Sequence, residues 1–300
     1  MVRWFFWLAA LASAAFAQTP SPEQLAESGH CREALPLLKT AISHATIPES
    51  KKRLGLDGVH CALSVHDLDG AANFLRGLSS AFPNDPEVLY LMVRVYSDMS
   101  IRASQKLMVS APGSYQVRLL NGEALEAQGK WDEAVAEYRE VLKRNPELPG
   151  IHNRIGRLIL AGPKTDENKK AAQAEFEAEI KIDPSNASAE YILGELARQD
   201  QEIPAAIEHF EKAAKLDAGF ADAFIGLGRS MLEDGRNAEA LKPLQTAEKL
   251  RPDNPAVHFY LSTAYRRTGH PEEAQRELAL QEQATEKVRQ MKQEIETGKH

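Results

Sequence analysis

The sequence predicts an all-α solenoid built from successive pairs of helices, and two recurring positions support this fold. An alanine recurs every 34 residues, at Ala172, Ala206, Ala240 and Ala274. A small residue recurs in a second phase, at Gly122, Gly156, Gly194, Gly228 and Ser262. Periods of this length are typical of stacked supersecondary units, each of which buries its apolar face only against its neighbours.

The two phases have a common physical explanation in the packing of one helix against the next. Glycine or serine on the first helix and alanine on the second let the two backbones approach closely, whereas large residues would separate them. Turn sequences fall between the predicted helices, at Gln128-Gly129-Lys130, Asp234-Gly235-Arg236 and Thr268-Gly269-His270. Asn145-Pro146, Asp183-Pro184 and Arg251-Pro252 should end the second helices, because the residue before proline avoids the α region.

One unit is longer than the others. Gly156 and Ala172 are 16 residues apart, four more than Gly194 and Ala206. The additional residues lie in the polar run 162–170, which predicts a lengthened loop between two helices.

The pattern Phe224-x-x-Leu227-Gly228-x-x-Met231, followed by Ala240-x-x-x-Leu244, Ala247 and Pro252, resembles the tetratricopeptide repeat. The resemblance implies a right-handed superhelical solenoid whose first helices line a concave groove that binds a segment of a partner protein. The signature tryptophan is absent from every unit, and the chain lacks the Lys/Asn carboxylate clamp of the chaperone-binding members. Binding of chaperone tails is therefore not expected.

The predicted organisation has three parts after an export signal. Residues 18–113 form irregular repeats, residues 114–286 form regular repeats, and residues 287–300 are the end of a terminal helix and a tail, which gives seven or eight helix pairs. Within the irregular part, Glu87–Met99 and Ile101–Val109 are expected to form one pair. The terminal helix is predicted over Pro271–Thr297 as a cap on the solenoid.

The terminal helix also carries an apolar stripe, which leaves a second role open. Its members recur at spacings of 4, 3 and 4, at Ala284, Val288, Met291 and Ile295. A stripe of this kind could form a short coiled coil, and hence a homodimer.

The pattern of residues 1–17 predicts a secretory signal peptide. Arg3 precedes an apolar run from Trp4, and Ala15-Phe16-Ala17 provides a cleavage site before Gln18. The apolar stretch is shorter than the roughly 20 residues that span a bilayer. We expect an exported protein, periplasmic or extracellular, with no transmembrane segment after cleavage.

Charge excludes one class of partner. The chain carries −7 overall, and loss of residues 1–17 would leave 35 basic and 43 acidic residues, a net charge of −8. An acidic protein of this kind is not expected to bind nucleic acid.

The two cysteines leave alternatives open. Cys31 and Cys61 are predicted on the second helix of one unit and on the first helix of the next, where an oxidising compartment would favour a disulfide. Each follows a histidine, so His30, Cys31, His60 and Cys61 could instead form a metal site or serve an enzyme. Adjacent helical residues point about 100° apart, which disfavours a shared ion.

No catalytic motif is present: the sequence lacks H-E-x-x-H, G-x-S-x-G, a Walker loop, G-x-G-x-x-G and C-x-x-C. We therefore predict a non-catalytic interaction scaffold of the cell envelope or secretory route, without metal or cofactor. An alternative is an envelope assembly factor that positions an enzyme or outer-membrane component.

The resemblance also implies which residues face the groove. They lie on first helices near the small residue, or one turn before it: Asn153, Arg157, Tyr191, Glu195, Arg198, Arg229, Phe259, Arg266 and Arg267. Recurrent arginines with aromatic neighbours suit an acidic segment or a C-terminal carboxylate. The alternative is that these arginines pair with local acids, such as Arg198 with Glu195.

Overall fold

A computed structural model describes residues 20–297, and within them every regular element is an α-helix. The helices fall into two compact units, residues 20–112 and 113–297. The predicted signal peptide, residues 1–17, lies outside the described residues. No helix in 20–297 has the length and apolar character needed to cross a membrane.

The first unit contains two helix pairs and a long helix. Its helices are α1 (Pro22–Glu27), α2 (Cys31–His44), α3 (Pro48–Ser64), α4 (Leu68–Ala81) and α5 (Pro86–Ser110). Cys31 on α2 and Cys61 on α3 form a disulfide, with their Cα atoms 4.8 Å apart. The bond closes a loop of 30 residues between two successive pairs, and cross-links of this size typically contribute about 2–4 kcal/mol.

The expectation of two helices over residues 84–113 was wrong. Residues 86–110 form the single helix α5, whose N-terminus is capped by Asp85 through the backbone N–H groups of Glu87 and Val88. The sequence between Met99 and Ile101 contains only Ser100, with no glycine or proline to end a helix. Helical hydrogen bonding therefore continues through the predicted turn.

The second unit is a stack of five helix pairs. The first helices are α6 (Tyr115–Ala127), α8 (Ile151–Ala161), α10 (Ala187–Gln199), α12 (Ala221–Glu233) and α14 (Pro255–Arg267). The second helices are α7 (Trp131–Arg144), α9 (Asp166–Ile182), α11 (Ile203–Leu216), α13 (Asn237–Leu250) and α15 (Pro271–Thr297). The predicted all-α solenoid of helix pairs is confirmed, and α7, α9 and α13 end at the residue before each predicted stop.

Close packing between the helices of a pair explains the small-residue phase. Gly122, Gly156, Gly194 and Gly228 each face a large side chain of the following helix: Tyr138, Phe176, Phe210 and Leu244. All four large side chains are fully buried. A Cβ atom on Gly194 would lie 2.9 Å from the ring of Phe210, and one on Gly226 would lie 2.5 Å from the same ring. The phenyl ring thus fills the space that the two glycines leave.

The tight turns also follow the period. Gly129, Gly235 and Gly269 have φ between 73° and 82°, a left-handed conformation that glycine adopts without strain. Gln201 occupies the same phase with φ 62°. Because this position is not a glycine, the turn could not be predicted from the residue type.

The four additional residues between α8 and α9 do not all enter a loop. The polar run 162–170 contains a short connection, and helix α9 then begins at Asp166. Thr165 caps it by accepting from the N–H of Asn168, and two acidic residues in the first turn favour the helix N-terminus. The insertion therefore mainly lengthens α9, which corrects the prediction of a long loop.

The cap function of α15 involves its first half. Ala284 is buried, whereas Val288, Met291 and Ile295 are 39%, 53% and 66% exposed. The predicted stripe is therefore covered at one end only.

Replacing Gly194 by valine should destabilise the second unit by about 1–3 kcal/mol, because the new side chain overpacks against Phe210. Urea unfolding followed by circular dichroism measures the change. Gly77→Ala is the control, since Gly77 lies inside α4 with open space around its Cβ position. That substitution should stabilise by about 0.5–1 kcal/mol. Equal stability of Gly194→Val and the parent would contradict the packing explanation.

Candidate functional site

Three first helices of the second unit, α10, α12 and α14, lie side by side. Helix α10 packs against α12, and α12 against α14. The side chains that α10, α12 and α14 present along this row, together with those of α8, form what we call the first-helix face. It carries the residues that the sequence marks as candidates for partner binding.

Two of the predicted arginines belong to one ionic cluster on this face. Arg198 on α10 contacts Glu195 of its own helix at 3.0 Å and Glu233 of α12 at 3.7 Å. Arg229 donates from Nε to the same Glu233 at 3.1 Å. The guanidinium of Arg229 also lies 5.9 Å from the ring centroid of Tyr260 on α14. The cluster therefore ties three successive first helices together.

The ionic cluster makes this part of the face less positively charged than the arginines alone would suggest. Arg198 is only 13% exposed, and its Nε is buried with no hydrogen-bond partner among the described residues. Arg229 keeps 34% of its side chain exposed. The predicted local pairing of Arg198 with Glu195 is present, so two arginines of the row are partly neutralised by their own surroundings.

The remaining arginines divide into two kinds. Arg157 on α8 and Arg266 on α14 are exposed and form no ion pair with any residue in 20–297. Arg267 donates instead to the backbone carbonyl of Leu232 at 2.8 Å and to the side chain of Asn237 at 3.3 Å. Arg267 therefore holds the end of α12 against the next repeat, which leaves Arg157 and Arg266 as the available cations.

The candidate aromatic residues also differ in their exposure. Tyr191 is partly buried against Phe210 and Phe220, with ring centroids 5.7 and 5.0 Å away. Burial raises the pKa of Tyr191, and the carboxylates of Glu195 and Asp222 add to the effect. Phe259 is 49% exposed and packs edge-on against Tyr260. Phe259 is thus the aromatic candidate with the larger free surface.

Asn153 has a structural contact through its backbone and an unsatisfied side-chain atom. Its backbone N–H donates to the carboxylate of Glu179 at 3.1 Å, while its Oδ1 is buried without a partner among the described residues. Glu179 is itself fully buried and accepts from the N–H of Gly150. The start of α8 is therefore fixed by a carboxylate from α9.

Comparison with known proteins identifies the repeats. Family models of the tetratricopeptide repeat match residues 122–160, 165–219 and 231–295. This chain is a tetratricopeptide repeat protein. The matches fall on the units in which the alanine and glycine phases were recognised.

Curated relatives share the repeats over part of their length. Tetratricopeptide repeat protein 21B of Xenopus laevis is 29% identical over 168 residues, and protein 21A of Mus musculus is 28% identical over 166 residues. Each match covers 53% of this chain and 12% of the relative. The chain thus spans about an eighth of these larger proteins.

Solved structures share the fold. The crystal structure of MamA superposes with a TM-score of 0.51 at 23% identity, covering 56% of this chain and 96% of MamA. YrrB, described as a TPR protein with an unusual peptide-binding site, superposes with a TM-score of 0.52 at 17% identity. That match covers 61% of this chain and 92% of YrrB.

A second ionic network of the tetratricopeptide stack was missed by the sequence analysis. Arg154 on α8 contacts Glu123 and Glu126 of α6 at 3.1 Å each. The hydroxyl of Tyr138 on α7 donates to Glu126 at 2.8 Å and accepts from Arg154 at 3.2 Å. In the sequence, the network was indicated only by Arg154, which lies about one helical turn before Arg157.

The environment of Tyr138 shifts its titration. Burial, together with the hydrogen bond that the phenol donates to Glu126, raises the pKa of Tyr138 to about 12, and Arg154 opposes the change. The folded state therefore holds this proton more firmly than an unfolded chain, in which tyrosine titrates near 10.

The cysteines of the tetratricopeptide protein offer no thiolate to a metal while the disulfide is present, which removes the sulfur ligands from the proposed His-Cys site. His30 contacts the hydroxyl of Ser28, and His60 is exposed. The alternative of a metal or enzymatic site at His30, Cys31, His60 and Cys61 is therefore not supported.

Stability should fall at alkaline pH because of Tyr138. A folded-state pKa above the unfolded value contributes stability that is complete below about pH 10 and lost as the pH rises toward about 12. The expected loss is on the order of 2–3 kcal/mol. Urea unfolding across this pH range should show the loss in the parent. In Tyr138→Phe the free energy of unfolding should fall less steeply with pH. Identical slopes would contradict the assignment.

Proposed function

We propose that this protein is a non-catalytic scaffold that binds a segment of a partner protein along the first-helix face. The observation that carries the proposal is the continuous row formed by α10, α12 and α14, joined by Arg198, Glu233 and Arg229. A fixed surface of this kind loses little conformational entropy on binding, which favours recognition of a flexible segment. YrrB, which shares the fold, is described as having a peptide-binding site.

The chemistry of the face favours an acidic segment or a C-terminal carboxylate. Arg157 and Arg266 are exposed, and a guanidinium binds a carboxylate through two parallel hydrogen bonds. Arg229 could exchange its contact with Glu233 for a carboxylate of the partner. Phe259 provides apolar surface close to Arg229, because both contact Tyr260. The face thus combines two cations that are unpaired among the described residues, Arg157 and Arg266, with an exposed aromatic side chain beside Arg229.

Export to the periplasm or the extracellular space is the second part of the proposal. Residues 1–17 have the pattern of a cleavable signal, and the disulfide between Cys31 and Cys61 is of a kind that persists in oxidising compartments. The scaffold would then act in the cell envelope or the secretory route. An envelope assembly factor that positions an enzyme or outer-membrane component is the alternative, and it differs in the partner.

Protein purified from its native compartment should begin at Gln18 and contain no free thiol. Intact-mass measurement with and without reduction, after alkylation, tests both points. A chain that retains residues 1–17, or one with two alkylated cysteines before reduction, would contradict export.

A homodimer through α15 is a further proposal. Val288, Met291 and Ile295 form an exposed apolar stripe on α15, beyond the buried Ala284 of the same helix. A dimer would use this stripe and leave the first-helix face free, so the two modes of interaction are independent.

Affinity capture from envelope extract tests the binding face. The bait is the chain from Gln18 onward, and the test variant is Arg157→Glu with Arg266→Glu, which reverses two exposed cations that have no ion pair in the described residues. The control is Lys170→Glu with Lys215→Glu, an equal charge change at exposed positions of second helices α9 and α11.

A partner retained by the parent and the control but lost by the Arg157/Arg266 variant would support the proposal and identify the partner. Equal capture by all three proteins would exclude these arginines as binding residues. Light scattering of each variant shows whether dimerisation through α15 changes the comparison.

A further inference from the structure

One polar position recurs between the two helices of nearly every pair in the second unit. It lies four residues before the small residue of the first helix and three residues after the alanine of the second. The paired residues are Arg118–Glu137, His152–Glu175, Glu190–His209 and His258–Glu277, with contacts of 3.1, 2.6, 2.6 and 2.7 Å. In each of these pairs a basic side chain meets one carboxylate.

The last of these pairs is the most deeply buried and the most constrained. His258 is 2% exposed and Glu277 is 7% exposed. The Nε2 of His258 lies 2.7 Å from the carbonyl oxygen of Pro252. A carbonyl can only accept, so Nε2 carries a proton, and Nδ1 is the nitrogen that faces Glu277.

A third group distinguishes this position from the other pairs. Glu248, near the end of α13, brings its carboxylate next to His258 and Glu277, and the ligand atoms of the three residues all lie within 4.8 Å of one another. The equivalent positions of earlier second helices hold the apolar residues Leu142, Ile180 and Ala214. This repeat therefore carries a carboxylate where the earlier repeats carry an apolar side chain, and it lies beside an ion pair that is already complete.

The charges of this cluster do not balance when His258 alone is protonated. A protonated His258 between ionised Glu248 and Glu277 leaves one negative charge in a largely buried place, which is costly. A divalent cation bound to neutral His258 and both carboxylates would make the cluster neutral.

We propose that Glu248, His258 and Glu277 form a binding site for a divalent transition-metal ion, of which Zn²⁺ is the best match. One imidazole nitrogen with two carboxylate oxygens is a ligand set that Zn²⁺ accepts, and a fourth position remains for water. The hydrogen bond from His258 to Pro252 is the outer contact that typically orients a metal-bound histidine.

The geometry requires only small side-chain movements. Zinc bonds of about 2.0–2.2 Å place tetrahedral ligands roughly 3.3–3.6 Å apart. His258 and Glu277 would separate slightly from 2.7 Å, and Glu248 would turn inward from its partly buried position. The three ligands lie on α13, α14 and α15, so the ion would join the terminal helix to the two helices before it.

Calorimetric titration of the chelator-treated full chain with Zn²⁺ tests the site. Visible absorption of Co²⁺, which reports inner-sphere coordination, provides a second measurement. The test variant is Glu248→Leu, which introduces the residue type found at the equivalent position 142. It leaves the His258–Glu277 pair intact. The control is His209→Gln, which removes the imidazole from the matched pair with Glu190 that lacks a third ligand.

The parent and His209→Gln should each bind one Zn²⁺, and Glu248→Leu should bind at least tenfold more weakly. Circular dichroism checks that each variant remains helical, and Zn²⁺ should raise the unfolding temperature of the parent but not of Glu248→Leu. Absence of Zn²⁺ binding to the parent would overturn the proposal. Unchanged affinity in Glu248→Leu, or equal affinity for Ca²⁺, would also overturn it.

Discussion

The contact between a glycine of one helix and a large side chain of the next is the constraint on which the second unit depends. Phe210 lies against Gly194 and Gly226 at distances that leave no room for a Cβ atom. Because interiors are packed to crystal-like density, a change on one side of this contact requires a matching change on the other. The 34-residue period arises because this contact recurs from repeat to repeat. Repetition of the contact brings α10, α12 and α14 side by side.

Polar contacts add a second layer to this packing. The pairs at the recurring position fix the two helices of a unit, whereas the clusters around Arg154, Arg198 and Arg229 connect the first helices of different units. The first-helix face is therefore partly made of charges that neutralise one another. The proposed binding residues Arg157, Arg266 and Phe259 lie outside these clusters.

The sequence predicted those features that depend on local chemistry. Glycine turns, proline stops and the small-residue phase were found because each residue type acts on the backbone beside it. Gln201 shows the limit, because it adopts a left-handed turn without being a glycine. Backbone hydrogen bonds from Gln201 to Arg198 and from Glu202 to Ala197 close this turn. Helix α5 shows a second limit. The repeat pattern predicted a turn near Ser100, where no glycine or proline ends the helix. The contact of Arg198 with Glu233 joins residues in adjacent repeats, and such partners become visible only after the helices are paired.

One repeat departs from the polar pattern: at the recurring position, α12 and α13 carry Phe224 and Pro243 instead of a charged pair. Dissolved ions weaken attraction between partly exposed charges but leave apolar burial unaffected or strengthened. This position of the α12–α13 repeat is therefore less sensitive to dissolved ions than the partly exposed pair of Arg118 with Glu137. Elsewhere in the same repeat, Asp222 and Arg251 still form an ion pair at 3.0 Å. A charged pair at this position is thus a recurrent feature of the stack and not a requirement of the fold, because α12 and α13 pack closely through Gly228 and Leu244 without one.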